Sequence, residues 1–206
     1  MNNIQREVKK YVMISAGKVL AIASSTNATP IEITTSGSHG MVTGDKVTIN
    51  GHTTNTSANG SWTIIKTAAT KFTLTGSVGV GIGGASGVVA NFIDPINVID
   101  FRHMIVAIAS DGGGTATATI KCVGSINETV PDFAAARSVS NNFEFIQMVD
   151  KQEGGGGLNG DVGVVFAGAD NYLQYEINVN GLKWLSFLPT AGSAGQFTIK
   201  LMALNP

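Results

Sequence analysis

Strict alternation of apolar and polar side chains marks several short stretches of the chain. Lys46-Val-Thr-Ile49, Thr115-Ala-Thr-Ala-Thr-Ile-Lys121 and Tyr172-Leu-Gln-Tyr-Glu-Ile-Asn-Val179 each repeat with period two. That is the pattern of a half-buried β-strand, whose successive side chains face opposite ways. Between residues 18 and 90, β-branched runs predict six strands: Val19–Ala23, Ile31–Thr35, Lys46–Asn50, Ser61–Lys66, Phe72–Thr75 and Gly87–Ala90. Turn formers separate them, in Asn27-Ala-Thr-Pro30, Ser36-Gly-Ser-His-Gly40, Asn50-Gly51, Asn59-Gly60 and Gly79–Gly84. Asn-Gly is a strong turn signal, because both residues tolerate positive φ. Short strands spaced about ten residues apart predict a small barrel or sandwich.

Beyond Asn91 the apolar runs lengthen. They predict strands at Met104–Ala109, Thr117–Gly124, Phe143–Val149, Val162–Phe166, Leu173–Val179, Trp184–Leu188 and Phe197–Met202, a number that suits an antiparallel sandwich or jelly roll. Pro131–Ser138 is the one stretch able to hold a short helical turn, and Gly154–Gly157 reads as a flexible loop. Asp94-Pro95 marks the junction between the two textures. The expected fold is all-β: an N-terminal arm or strand over 1–17, a small β-barrel over 18–92, and an antiparallel, jelly-roll-like β-sandwich over 93–206. Tyr11-Val-Met-Ile14 is too apolar to stay in water. With the barrel as an insertion, this stretch is expected to return to the sandwich as a strand or to pair with a neighbouring subunit.

Composition narrows the functions. The 206 residues carry a formal net charge of −1, and charged side chains make up 13% of them, about half the usual ~25%. Gly, at 26 residues, is nearly twice as frequent as average. A surface of small polar groups is poorly soluble alone, so neighbours are expected to cover part of it. No basic cluster exists beyond Lys9-Lys10, which argues against nucleic acid as a partner. No run of about 18 apolar residues occurs, so no membrane span is expected. Met1–Lys10 is polar and lacks the apolar run of a signal peptide. The single cysteine, Cys122, excludes an internal disulfide and a thiolate metal cluster, as suits a product of a reducing cytosol.

Candidate chemistry is thin. Gly79-Val-Gly-Ile-Gly-Gly84 satisfies G-x-G-x-x-G, yet a strand pattern follows where a dinucleotide site needs a helix, so a turn or bulge is expected. His39, His52 and His103 lack a second ligand at metal-binding spacing. No Gly-x-Ser-x-Gly elbow selects a nucleophile, and no paired carboxylates stand out for a sugar hydrolase. Cys122 lies within a strand pattern and reads as a small core residue. No catalytic residue, cofactor or metal site is expected.

The middle zone resembles a known module. Ile31–Gly51, with Thr34-Thr35, His39-Gly40, Gly44-Asp45 and Val47-Thr-Ile49, is followed by Asn59–Ile65 and Thr70–Gly76. This is similar to the small β-barrel first described as the first catalytic-cysteine half-domain of ubiquitin-activating enzymes, a module that recurs in structural proteins of tailed phages. The resemblance covers about a third of the chain and implies no ubiquitin chemistry, since that half-domain lacks the catalytic cysteine. In it Gly40, Gly44 and Gly51 are expected at positive φ, His39 to hydrogen-bond across its turn, and Trp62 and Phe72 to fill the barrel. Asp100–Met104, Gly124–Phe133 and Val179–Trp184 look like turn-and-strand pieces of phage β-sandwiches, less sharply.

The resemblance implies a non-enzymatic virion protein of a tailed phage, made in the host cytoplasm and homo-oligomeric. It would bind other virion proteins on the particle exterior, as capsid decoration or a head or tail appendage. The alternative is a tail module that binds a receptor or host-surface glycan. In it, loops Gly112–Gly114 and Gly154–Gly157 would surround Trp184 or Tyr172.

Overall fold

A computed structural model describes residues 8–111, 116–133, 143–150, 156–168 and 172–204, and gives the side chains of all but 8–16, 193, 194 and 204. The described chain is all-β. Its one helical piece is the 3-10 turn Thr56–Ala58.

Strand β1 (Val8–Lys18) comes first and belongs to the far end of the chain. Next come β2 (Leu20–Ser25), β3 (Glu32–Thr35), β4 (Lys46–Asn50), β5 (Gly60–Ala68), β6 (Lys71–Leu74) and β7 (Val88–Asn91). These six close into an antiparallel barrel in the order β2-β3-β6-β5-β4-β7. All six expected strands are present, within two residues at either end. Ile31, Ile33, Val47, Ile49, Ile64, Phe72, Leu74 and Val89 fill the interior and are fully buried. Gly40, Gly44 and Gly51 have φ of 70°, 98° and 73°, as the turns around β4 require. Trp62 departs from expectation. It is half-buried and packs against the barrel cluster, its indole N–H donating to the Ala58 carbonyl at 2.8 Å. A buried indole must keep a hydrogen-bond partner, and the carbonyl at the end of the 3-10 turn supplies it.

The remaining strands are β8 (Ile96–Asn97), β9 (His103–Asp111), β10 (Thr117–Ser125), β11 (Glu144–Phe145), β12 (Met148–Asp150), β13 (Gly157–Leu158), β14 (Val164–Ala167), β15 (Tyr172–Asn178), β16 (Trp184–Ala194) and β17 (Gln196–Leu204). One sheet runs β1-β17-β9-β15-β12-β13; the other runs β11-β10-β16-β8, with β14 beside β10. Tyr11 pairs with Met202 and Ile14 with Ile199, antiparallel. The apolar N-terminal stretch thus returns as an edge strand beside the last strand of the chain.

Side chains from both sheets share one core. Met104, Val106 and Ile108 of β9 and Phe197, Ile199 and Leu201 of β17 meet Ala118, Ile120 and Cys122 of β10, Phe166 of β14 and Phe187 of β16. Phe166 and Phe197 touch edge to face at 5.0 Å between centroids, an arrangement favoured by the ring quadrupoles. Alternate residues Val123 and Leu188 point to the other side of the second sheet and pack with Phe133 and Phe143. Strand β7 joins the two regions. Its Val89 faces the barrel interior, whereas Val88 and Ala90 enter the core between the sheets with Val19 and Ile93.

Three differences from the sequence reading have physical causes. The strand expected over Phe143–Val149 is two strands, because the chain leaves the second sheet after β11 (paired with β10) and enters the first as β12 (paired with β15). Strand β16 runs past the expected end at Leu188 to Ala194. Its register against β10 shifts between Pro189 and Ala191 and again between Gly192 and Ala194, and such a bulge lets a proline, which has no N–H to give, stay in the strand. Gly157 belongs to β13, pairing with Val149, rather than to a loop. Residues 112–115, 134–142 and 151–155 lie outside the described residues. So, with them, do the expected loop Gly112–Gly114, the first half of the Gly154–Gly157 run and the greater part of the expected helical turn over Pro131–Ser138.

Candidate functional site

The most elaborate polar cluster sits at one end of the barrel, where the end of β2, the loop after β4 and the loop between β6 and β7 meet. His52 lies there with 2% of its surface exposed. Its Nε2 is 2.8 Å from Ser25 Oγ, and its Nδ1 is 2.9 Å from Ser86 Oγ and 3.4 Å from Thr54 Oγ1. Ser86 Oγ accepts the Thr53 backbone N–H at 2.9 Å, and Ser25 Oγ accepts the Gly84 N–H at 3.2 Å. Ser86 Oγ also accepts from the Thr53 hydroxyl at 3.2 Å, which leaves its own proton for Nδ1 and places the ring proton on Nε2, donating to Ser25. Burial lowers the His52 pKa, since a charged ring would lose its hydration.

A serine 2.8 Å from a histidine has the spacing of a nucleophile and its base. The surroundings do not suit that chemistry. Among the described residues the far nitrogen of His52 faces hydroxyls rather than a carboxylate, the group that orients and stabilises the imidazolium of such a pair. Ser25 is itself buried. The cluster acts as a latch that ties the 77–87 loop to the barrel. Asn55 adds to it: its Nδ2 donates to the Thr26 carbonyl at 2.9 Å, and Ser57 Oγ donates to its Oδ1 at 2.6 Å.

The glycine-rich run lies across this latch. Its backbone is held by Gly79 N–H to the Ala28 carbonyl at 3.1 Å and by Ser25 N–H to the Gly84 carbonyl at 2.8 Å. A Cβ at Gly79 would lie 2.7 Å from the Asn27 carbonyl carbon, and one at Gly83 would fall on the Ser25 carbonyl. These glycines let one backbone lie flat on another. They form no phosphate cradle, because β7 rather than a helix follows.

The other histidines are placed apart. His39 accepts the Met41 N–H on Nδ1 at 3.0 Å, places Nε2 3.1 Å from the Ala68 carbonyl, and stands edge-on to Phe72. Its expected bond across the turn is present. His103 Nδ1 lies 3.2 Å from Glu176 on the neighbouring strand. Among the described residues no three His, Cys, Asp or Glu side chains converge as metal ligands. Cys122 is fully buried in the core between the sheets, which pushes its thiol pKa up and keeps it unreactive.

Among the described residues, a cleft of about 320 Å³ on the two-sheet region is lined by Gly124, Ile126, Asn127, Phe143, Ile146 and Leu182. A cleft of about 240 Å³ lies beside Asp150, Leu158 and Tyr175. Neither is lined by Ser25 or His52. Trp184 packs against the cluster of Val123, Phe133, Phe143 and Leu188 and gives its indole N–H to the Asn127 carbonyl at 3.0 Å. Tyr172 is half exposed, and its hydroxyl accepts from Gln174 at 3.1 Å.

Sequence reasoning missed the His52 latch. Its serines stand 27 and 34 residues away along the chain, and no local pattern announces such a pairing. Comparison of the chain with protein-family models, with curated proteins and with solved structures finds no match.

Proposed function

We propose that the protein is a non-enzymatic structural protein of a tailed bacteriophage virion. It binds other virion proteins on the particle exterior, as capsid decoration or as a head or tail appendage. The observation that carries this reading is the surface. A framework of sheets and a closed barrel leaves Val78, Val80, Ile82, Ile126 and Val165 more than half exposed, on a chain with only 13% charged residues. Aliphatic groups left in water on a charge-poor surface favour burial against neighbours. The resemblance of residues 31–76 to the small barrel of phage structural proteins supplies the setting. A glycan-binding tail module is less well supported, because Trp184 is engaged in packing and in a hydrogen bond rather than offered as a stacking platform.

The test is to purify particles of the phage that encodes the chain and map the protein by cryo-electron microscopy. Density for the barrel and both sheets on the exterior of capsid or tail is the expected result. Complete particles lacking the protein would overturn the reading.

A further inference from the structure

The loop that carries the glycine run also carries Val78, Val80 and Ile82, which are 58%, 64% and 73% exposed. The alternation has a steric origin. At Gly79 and Gly83 the backbone lies against Asn27, Ala28 and Ser25 with no room for a Cβ, so Val80 and Ile82 between them, and Val78 before them, are the side chains turned to water. Three branched aliphatics in a row, facing water on a backbone fixed by the His52 latch, form a preorganised apolar ridge.

The segments that carry the ridge and its latch hold no charged side chain; the Glu32–Lys71 pair and Asp132, beside Thr26 and Ser61, mark their margin. Residues 24–31, 51–60 and 77–87, joined by the latch into one end of the barrel, contain no Asp, Glu, Lys or Arg. Their exposed members are Ser, Thr, Asn, Ala, Pro and Gly besides the aliphatics. Such a face would strand any partner's charge without a counter-ion as water left. It suits an equally neutral partner, and a second copy of the same face meets that requirement with no like-charge penalty. The three segments together approach the roughly 20–30 residues a side of a standard interface. We propose that this end of the barrel is a self-association surface, on which two copies of the chain meet about a two-fold axis, with Val78, Val80 and Ile82 of each packed against those of the other.

The whole chain tests this directly. Sedimentation equilibrium up to the solubility limit should give a species of twice the 21.3 kDa chain mass. The double variant Val80→Asp/Ile82→Asp should weaken it by at least about tenfold, as removal of central anchors does. Ile82→Cys supplies a second readout that leaves the ridge apolar. Cys122 is buried, so the introduced thiol is the accessible one, and a short bis-maleimide should link two chains through it. A protein that stays monomeric at every concentration overturns the proposal. So does a dimer that the two aspartates leave unweakened, or one that the Ile82→Cys variant forms without cross-linking. Absence of the protein from phage particles would remove the virion reading and leave this one standing.

Discussion

The barrel and the two-sheet region close their backbones by opposite routes. Every barrel strand pairs with others from residues 20–91, and the ring leaves no open edge. The first sheet is completed only when β1, from the start of the chain, meets β17 at its end, across the whole inserted barrel. Three hairpins (β2-β3, β4-β5 and β5-β6) and three longer pairings, the longest joining Leu20 to Val89, build the former, and a contact nearly as long as the chain completes the latter. Loop-closure entropy is met early in the barrel and late in the sheets. The two also differ in how polar groups are used. The barrel end buries a His–Ser network, whereas the buried polar side chains described in the two-sheet region are the serines Ser110, Ser125 and Ser186.

Removing β1 should break this comparison most severely. Deleting residues 1–15 strips β17 of its edge partner and should cost the two-sheet region more than about 4 kcal/mol, the range of gross structural losses. The barrel, whose ring does not include β1, should keep its strands. Circular dichroism with residue-resolved amide protection would check both halves. Equal loss of protection in both regions would mean that the seam at Val88 and Ala90, rather than β1, governs stability.

A matched pair of core truncations sharpens the contrast. Phe72→Ala in the barrel and Phe187→Ala between the sheets each empty a buried aromatic site and should cost ~3–5 kcal/mol. The expected difference is in where protection is lost: β3 and β5 for the first, β10 and β14 for the second. Native-state hydrogen exchange distinguishes the two patterns.

Most of the barrel was legible in the sequence because its signals are local. Asn50-Gly51, Asn59-Gly60 and Gly44-Asp45 each place a turn, and the period-two runs between them leave few alternative registers. The two-sheet region was legible in its strands and less so in its breaks. Phe143–Val149 reads as one run, and only the sheets it bridges divide it. The expected strand Trp184–Leu188 ends short of Pro189, and only the register shift against β10 shows how β16 runs on. The apolarity of Tyr11–Ile14 and its backbone groups demanded a partner but left the sandwich and a neighbouring subunit both open, and the pairing with β17 decides between them. The latch was not legible, since a buried histidine announces its partners only once the loops have converged.

Acid should act on the barrel end selectively. The pKa of His52 is lowered in the folded protein, so folding favours the neutral ring. That stabilisation is complete above the unfolded value of about 6.5 and is lost as pH falls from there through the lowered folded value. Protonation of Nδ1 also sets an N–H against a Ser86 hydroxyl that already accepts from Thr53. Amides near Gly84 and Ser86 should therefore exchange faster at pH 5 than at pH 7, after correction for intrinsic rates, and His52→Gln should flatten that dependence.

Smaller effects are expected at the remaining singled-out residues. Cys122→Ser and His39→Ala should each cost about 1–2 kcal/mol in thermal or urea melts without altering binding. The first places a hydroxyl in an apolar core; the second frees the Met41 N–H and one face of Phe72. Zinc bound stoichiometrically and lost with His39 would contradict the structural role given to that ring.

The N-terminal strand completes the first sheet while the barrel stands whole between β1 and β17. Peptide-resolved hydrogen–deuterium exchange on the intact chain measures this without any substitution. Ladder-bonded amides within 8–18 should be protected together with those of 196–204, and β2–β7 should form a separate protection group. Exchange of residues 8–18 at the rate of a free tail, beside a protected β17, would contradict it.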